Sequence, residues 1–247
     1  MSAERERREI LIATIADLLD GISHVAVGAS SPIPAAGAML LRARNERTGK
    51  PPVRISILGS QAHNFFTNGG IELFDCAAQG RVDAFFLGGG QSDGQGNINL
   101  VGTGDYPTGS VRWPGSFGSA YLYHLIPRVI LFREEHSPRV FVPQVDFVSA
   151  RAITPEVPRR GGPYALLTNM ALFDFDREAG SFALRSVHPP FTPADIRENT
   201  GFAYQEPEVV RETKRPDAAT LALLRGRIFD ELAETYPAFA RTMMQAA

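Results

Sequence analysis

Gly88, Gly89 and Gly90 stand at the end of the apolar run Val82-Asp83-Ala84-Phe85-Phe86-Leu87, and Gln91, Asp93 and Asn97 follow at once. Glycines after a strand bring bare backbone N–H groups to the surface, with no Cβ to hold a ligand away. Open α/β sheets bind their ligands at such strand ends. Fixed N–H donors there stabilise negative charge that develops on a carbonyl oxygen, as an enolate or a tetrahedral adduct. Gly88, Gly89 and Gly90 are therefore candidate oxyanion donors, and Gln91 offers a side-chain donor beside them. Asp93 fits a second role, accepting N–H bonds from its own turn, and Asn97 and Asn99 fit the same loop-fixing role. The same stretch also reads as a tight connection whose glycines need positive φ.

A second stretch, Arg112-Trp113-Pro114-Gly115-Ser116-Phe117-Gly118-Ser119, joins a cation to a small-residue loop. Arg112 has the donor fork for a bidentate carboxylate, or for a plain surface ion pair. Gly115 and Gly118 allow backbone to approach a ligand. Upstream lies Ala29-Ser30-Ser31-Pro32-Ile33-Pro34-Ala35-Ala36-Gly37. In this order, ASSPIPAAG, GGGQSDGQGNINL and RWPGSFGSA resemble the B (β) subunit of class I coenzyme A transferases, of the glutaconate CoA-transferase type. The glycine stretch departs little from the family's GG-x-Q-x-D-x-x-G-N-x-N, and the resemblance runs over residues 20–205 or so.

The resemblance implies a three-layer α/β/α fold with a mostly parallel sheet, an architecture shared with sugar-phosphate isomerases. It implies an A (α) subunit as partner, in an AB or A2B2 assembly with the site between the chains. Coenzyme A would enter as the thioester of the substrate, with no bound cofactor. Gly89, Gly90 and Gln91 would take part in the chemistry. Gln61, His63, Gly88, Asp93, Asn97, Arg112, Gly115, Ser116, Phe117 and Gly118 would contact substrate or coenzyme A. Phe117 replaces a family glycine, which narrows the pocket or lines it for an apolar acyl group.

One departure bears on the reaction. In the family, a glutamate after the second strand attacks the thioester, and a carboxylate suits that step because it both attacks and leaves. The matching stretch here, Ile57-Leu58-Gly59-Ser60-Gln61-Ala62-His63-Asn64, holds no acid. Ser60 aligns with the glutamate, and Gly59 or Gln61 does if the register slips by one. Serine needs a base, and His63 is near enough in sequence to approach it. Equally, Ser60 fits a turn hydroxyl that caps the next helix, and His63 a surface or core-edge residue. Two branches of the superfamily lack this glutamate: one decarboxylates glutaconyl-type thioesters, the other hydrolyses a carbon–carbon bond in a ring-bearing thioester with a carboxylate from the partner. A subunit that only completes its partner's site is a further reading. A sugar-phosphate-binding α/β protein is another, which ASSPIPAAG and RWPGSFG oppose.

These residues need a scaffold. The pattern reads as a helix over 4–19, a strand at His24–Gly28, a helix over Ala35–Arg47, a strand at Arg54–Leu58, a helix over 70–79 and the strand 82–87. This βαβαβ order predicts parallel pairing. A helix at Ala120–Ile126 and a strand at Arg128–Phe132 follow. Thr154–Pro163 reads as a loop. Residues 164–169, 171–175 and 181–187 read as strands, with a turn at Asp176–Gly180, and helices close the chain at 192–199 and 217–245.

With 247 residues and 44% apolar content, the chain suits one domain over 1–247 with an ordinary core. A formal charge of −2 without a basic stripe argues against nucleic acid. The lone Cys76 lies in an amphipathic helix and reads as packing, and five scattered histidines predict no metal site. No secretory signal or membrane span is legible, so the expected location is the cytoplasm.

Overall fold

The structure is a computed structural model, and it describes residues 3–67 and 69–245. In chain order the first elements are α1 (Ala3–Leu18), β1 (His24–Val27), α2 (Pro32–Thr48), β2 (Arg54–Ile57), α3 (Gly69–Ala78) and β3 (Ala84–Leu87). Four two-residue strands come next: β4 (Gln91–Ser92), β5 (Ile98–Asn99), β6 (Gly102–Thr103) and β7 (Val111–Arg112). Then follow α4 (Ser119–Leu125), β8 (Arg128–Arg133), β9 (Pro163–Thr168), β10 (Ala171–Asp176), β11 (Ser181–Val187), α5 (Pro193–Asn199) and β12 (Arg211–Glu212). The C-terminal helices are α6 (Ala218–Leu223), α7 (Phe229–Leu232) and α8 (Pro237–Gln245).

The chain packs as two compact units: Met1–Phe86 with Lys214–Ala247, and Leu87–Thr213. In the first unit β1 pairs in parallel with both β2 and β3. The strands are short and almost wholly buried, which is how parallel strands covered on both faces read. Pro32 and Pro34 sit in the first turn of α2, where a missing N–H costs nothing, and Gly49 closes the helix with φ 69°. Gly37 lets α2 press onto α1, since a Cβ there would fall 2.3 Å from Ile15 Cγ2. The strand expected from Val82 starts at Ala84, because Asp83 instead caps the entry to β1, accepting from the N–H groups of Ser23 and His24 at 2.8 and 2.9 Å.

The long helix expected over 217–245 is broken. A π-turn spans Leu224–Ile228 around Gly226, whose φ −104° and ψ −106° are not helical. The chain leaves the helix again at 233–236, and Pro237 opens α8. This second break places Glu234 and Thr235 on a turn rather than a helix face.

In the second unit β8 and β9 are parallel, β9, β10 and β11 antiparallel, and β11 and β12 parallel. Across the main sheets of both units parallel ladders predominate, and helices flank them, as the α/β expectation requires. The hairpin between β10 and β11 turns on Gly180 at φ 66°, and Asp176 accepts from the N–H groups of Glu178 and Ala179. The unit's core is aromatic: Phe173, Phe175, Phe182, Phe202 and Tyr204 meet mostly edge to face, with centroids 4.9–6.3 Å apart. The four short strands and β12 escaped the sequence reading, since two residues carry no periodicity.

Candidate active site

The glycine stretch belongs to the second unit and is a packed hairpin. Gly90 donates its N–H to the Asn99 carbonyl at 2.9 Å, and Gln91 pairs with Asn99 in register. That corrects two expectations. None of Gly88, Gly89 and Gly90 has positive φ, so the conformation itself does not demand glycine. Crowding does: a Cβ on Gly89 would lie 2.6 Å from Ile98 Cγ2, and one on Gly90 2.2 Å from the Trp113 ring. The N–H of Gly90 is also spent in the hairpin, so it is no oxyanion donor. Gly88 and Gly89 keep N–H groups that this hairpin does not use, and Gly88 is exposed.

Gln91 is buried, and its side-chain oxygen accepts from Asn99 Nδ2 at 2.7 Å and from the Asp146 N–H at 3.0 Å. Its oxygen is thus committed to holding two loops together, and its NH2 end is the part left to donate. Asp93 is the hub of the next turn. Its carboxylate accepts from the N–H groups of Gln95 and Asn97 and from Asn97 Nδ2, at 3.0–3.1 Å. Asn97 passes the restraint on, accepting from the Ala152 N–H at 3.3 Å. Both residues are turn fixtures. Beside them opens a cavity of about 810 Å³, lined by Asp93, Gln95, Asn97, Arg151, Ser181 and Phe202 among others.

Trp113 joins the second motif to the first. Its N–H donates to the Val101 carbonyl at 2.9 Å while its indole covers Gly90. Arg112, next to it, is exposed on β7, and its guanidinium lies 5.1 Å from the Tyr106 ring centre. No carboxylate among the described residues pairs with it, so the ion-pair reading of Arg112 fails. The loop that follows is left-handed at three positions: Gly115 at φ 101°, Phe117 at 33° and Gly118 at 69°. Phe117 is the one non-glycine residue with positive φ among the described residues, and it is 73% exposed. A Cβ there costs about 1–2 kcal/mol, which explains a glycine as the family's choice. The Ser116 carbonyl caps the start of α4, accepting from the Ser119 N–H at 2.8 Å and from its hydroxyl.

Ser60, Gln61 and His63 belong to the first unit, on the turn after β2. Gly59 takes φ 89° and reverses the chain. Ser60 is 5% exposed. Its Oγ accepts from the His63 N–H at 2.9 Å and donates to Glu234 Oε2 at 2.8 Å. Glu234 Oε1 accepts from the N–H of Gln61 at 2.8 Å and of Ala62 at 3.4 Å. The Thr235 hydroxyl, then the Ser60 hydroxyl and the two N–H groups, pull the Glu234 carboxyl down to about 2. The His63 ring does not act on Ser60, for its Nε2 meets Glu231 Oε1 at 2.9 Å, and Arg42 holds the same carboxylate. Tyr236 closes the group by donating to the Gly28 carbonyl at 3.1 Å. The carboxylate missing from this turn in sequence is thus supplied in space by Glu234, from 174 residues away. No local spacing signals such a partner, so sequence reasoning missed both Glu231 and Glu234.

The coenzyme A transferase family model matches residues 53–199, more than half of the chain. The chain belongs to the coenzyme A transferase family. Within that family it is 32% identical over 153 residues to the B subunit of 3-oxoadipate CoA-transferase from Pseudomonas knackmussii, covering 59% of this chain and 58% of that one. It is 29% identical over 163 residues to the IpdB component of the cholesterol ring-cleaving hydrolase from Mycobacterium tuberculosis, covering 63% and 64%. The chain therefore aligns with less than two thirds of the length of either relative. Its fold superposes on the decarboxylase AibA/AibB with a TM-score of 0.74 and 27% identity, covering 92% of this chain and 98% of that one. The α/β fold of the family and its B-subunit character agree with the three motifs, and hydrolase and decarboxylase relatives stand beside the transferases.

Proposed function

We propose that this chain is the B subunit of an enzyme acting on the coenzyme A thioester of a carboxylic or dicarboxylic acid, with an A subunit completing the site. The observation that carries the reading is the join made by Trp113, whose indole covers Gly90 of the glycine hairpin and whose chain neighbour Arg112 is exposed, with its guanidinium over Tyr106 and no carboxylate partner among the described residues. Arg112 has the charge and fork to hold an acid group. The N–H groups of Gly88 and Gly89 and the NH2 of Gln91 are the donors for charge developing on the thioester oxygen. Phe117 offers an exposed apolar face to the acyl chain. The 810 Å³ cavity beside Asp93 has the size of a small-molecule site, with Arg151 at its wall for an anionic portion of the thioester. Tyr106, Val111, Phe117 and Tyr121 are all exposed, which suits burial against a second chain. The reading includes a heteromeric enzyme of catabolism in the cytoplasm; among the described residues no helix is long and apolar enough to cross a membrane.

A second reading is favoured by the turn after β2. It holds no glutamate of its own, and Glu234 has both oxygens engaged there. Decarboxylation, or hydrolysis of a carbon–carbon bond, needs thioester polarisation but no anhydride on this chain. The test is mass spectrometry of the co-purified A–B complex with a panel of acyl-CoA thioesters and acceptor acids. A new thioester identifies transfer, a thioester lighter by carbon dioxide identifies a decarboxylase, and a ring-opened product identifies a hydrolase. Turnover by the isolated chain, or no product from any thioester, would overturn the proposal.

A further inference from the structure

The turn after β2 has the form of a binding site. Gly59 reverses the chain at φ 89°, and the next three residues point donors at one place. The N–H groups of Gln61 and Ala62 reach one carboxylate oxygen at 2.8 and 3.4 Å, and the Ser60 hydroxyl reaches the other at 2.8 Å. Successive backbone N–H groups in a turn form a concavity for anions, and a hydroxyl beside them matches the second oxygen of a carboxylate. Ser60 is oriented for this task. The His63 N–H fills a lone pair of its Oγ at 2.9 Å, which leaves the O–H to donate outward. His63 itself is held by Glu231, so the back of the turn is braced. Its front is open: Gln61, Ala62 and Glu234 are all exposed, and Glu234 sits on the non-helical turn between α7 and α8.

We propose that Ser60, Gln61 and Ala62 form a carboxylate-binding cradle, that Glu234 is its internal occupant, and that an acid group of a small dicarboxylic acid takes the same place when the 233–236 turn withdraws. The cradle follows from geometry alone; its use by substrate rests on the reading given under Proposed function. An internal carboxylate on a short tether competes at an effective concentration in the millimolar range, so the intact chain binds free acids weakly. Removing Glu234 removes the competitor and leaves the donors.

The test is calorimetric or NMR titration of glutarate into the full chain. Glu234→Ala should bind glutarate at least about 10-fold more tightly than the unaltered chain, on the effective-concentration argument. Adding Ser60→Ala to Glu234→Ala should reverse most of that gain. Glu234→Gln keeps the side chain's size and one acceptor, and covers the case in which the alanine variant loosens the turn; it should give a smaller gain, about 3-fold. Circular dichroism and slow exchange of the His63 N–H report that the turn survives. Failure of both Glu234 variants to tighten binding, with the His63 N–H still protected, overturns the cradle. Tightening that Ser60→Ala leaves untouched overturns it too, because the anion is then bound elsewhere. Thioester turnover is not read in this experiment, so a failed cradle leaves the family reading intact, and a failed thioester panel leaves the cradle measured.

Discussion

Two histidines deep in the second unit make its stability depend on acid in a calculable way. His136 is held at both ring nitrogens by hydroxyls, Thr168 at 2.8 Å and Thr200 at 2.9 Å, and packs edge-on to Phe141. His188 is 1% exposed; its Nδ1 meets the Thr213 hydroxyl at 2.7 Å, its Nε2 is buried short of a well-formed hydrogen bond, and the Thr168 backbone beside it offsets only part of the cost of burial. Among the described residues no carboxylate acts on either ring to stabilise it as a cation. Burial accordingly lowers both from 6.5 to about 4, helped at His136 by the neighbouring His188. As pH falls, the unfolded chain takes up these protons near 6.5 and the folded chain only near 4. Stability is therefore full above pH 6.5, declines from there to pH 4 and levels off below. Linkage gives a loss of about 2 kcal/mol per histidine at pH 5, or about 4 kcal/mol for the pair. Urea denaturation at pH 7.5 and 5.0 measures it directly. Glu234, with its carboxyl near 2, contributes mainly below that window. The control is His136→Gln with His188→Gln, which is expected to be less stable at pH 7.5 yet to lose most of the pH dependence. Equal stability of the unaltered chain at the two pH values would refute the reasoning. So would a slope that survives the double substitution.

Gly90→Ala should cost about 1–3 kcal/mol by forcing the Trp113 indole out of its seat, and combining it with Trp113→Ala should recover part of the loss; additive costs in a double-mutant cycle would contradict the packing. Asp93→Ala leaves three donors unpaired and should destabilise by about 3 kcal/mol in urea titration, with any activity loss tracking the unfolded fraction. In the A–B complex, Arg112→Ala should raise KM for the acid-bearing substrate by about 10- to 100-fold, the worth of one charged hydrogen-bond pair, with kcat changed far less; an unmoved KM would remove Arg112 from the site.

The βαβαβ half of the fold was legible because its apolar runs and its Pro and Gly punctuation are strong and local, as at Pro32, Pro34 and Gly49. The three motifs were legible as a set, and the structure joins two of them through Trp113 and Gly90. What Gly88–Gly90 are for was half legible. A glycine required by crowding and a glycine required by positive φ leave the same letter in the sequence, and only the positions of Ile98 and Trp113 separate them. Phe117 shows the reverse case, a bulky letter where the family has glycine, and the backbone reason for that glycine stays hidden until φ is known. Glu231 and Glu234 were illegible, because each acts on a turn far away in the chain. The break at 233–236 that places Glu234 interrupts what reads as continuous helix, with Pro237 its sole local sign.

The position of Glu234 narrows what this chain can contribute to chemistry. A carboxylate that attacks a thioester needs a free lone pair, and one that takes up a proton at neutral pH needs a pKa close to 7. Glu234 satisfies neither condition while it sits on Ser60, Gln61 and Ala62: Oε1 accepts from two N–H groups and Oε2 from the Ser60 and Thr235 hydroxyls, and its carboxyl is near 2. Ser60 is no better placed, since its one proton is given to that carboxylate and a base with so low a pKa does not remove it. Chemistry through an acyl group on this turn therefore requires Glu234 to leave first. Chemistry that keeps the turn closed must draw any carboxylate it needs from elsewhere, which on the proposed reading is a partner A subunit, or need none, as in decarboxylation. The two cases separate on one substitution. Glu234→Gln in the A–B complex should change the rate substantially if the turn opens in each cycle, and by less than about threefold if the turn stays shut and the reacting group is the partner's.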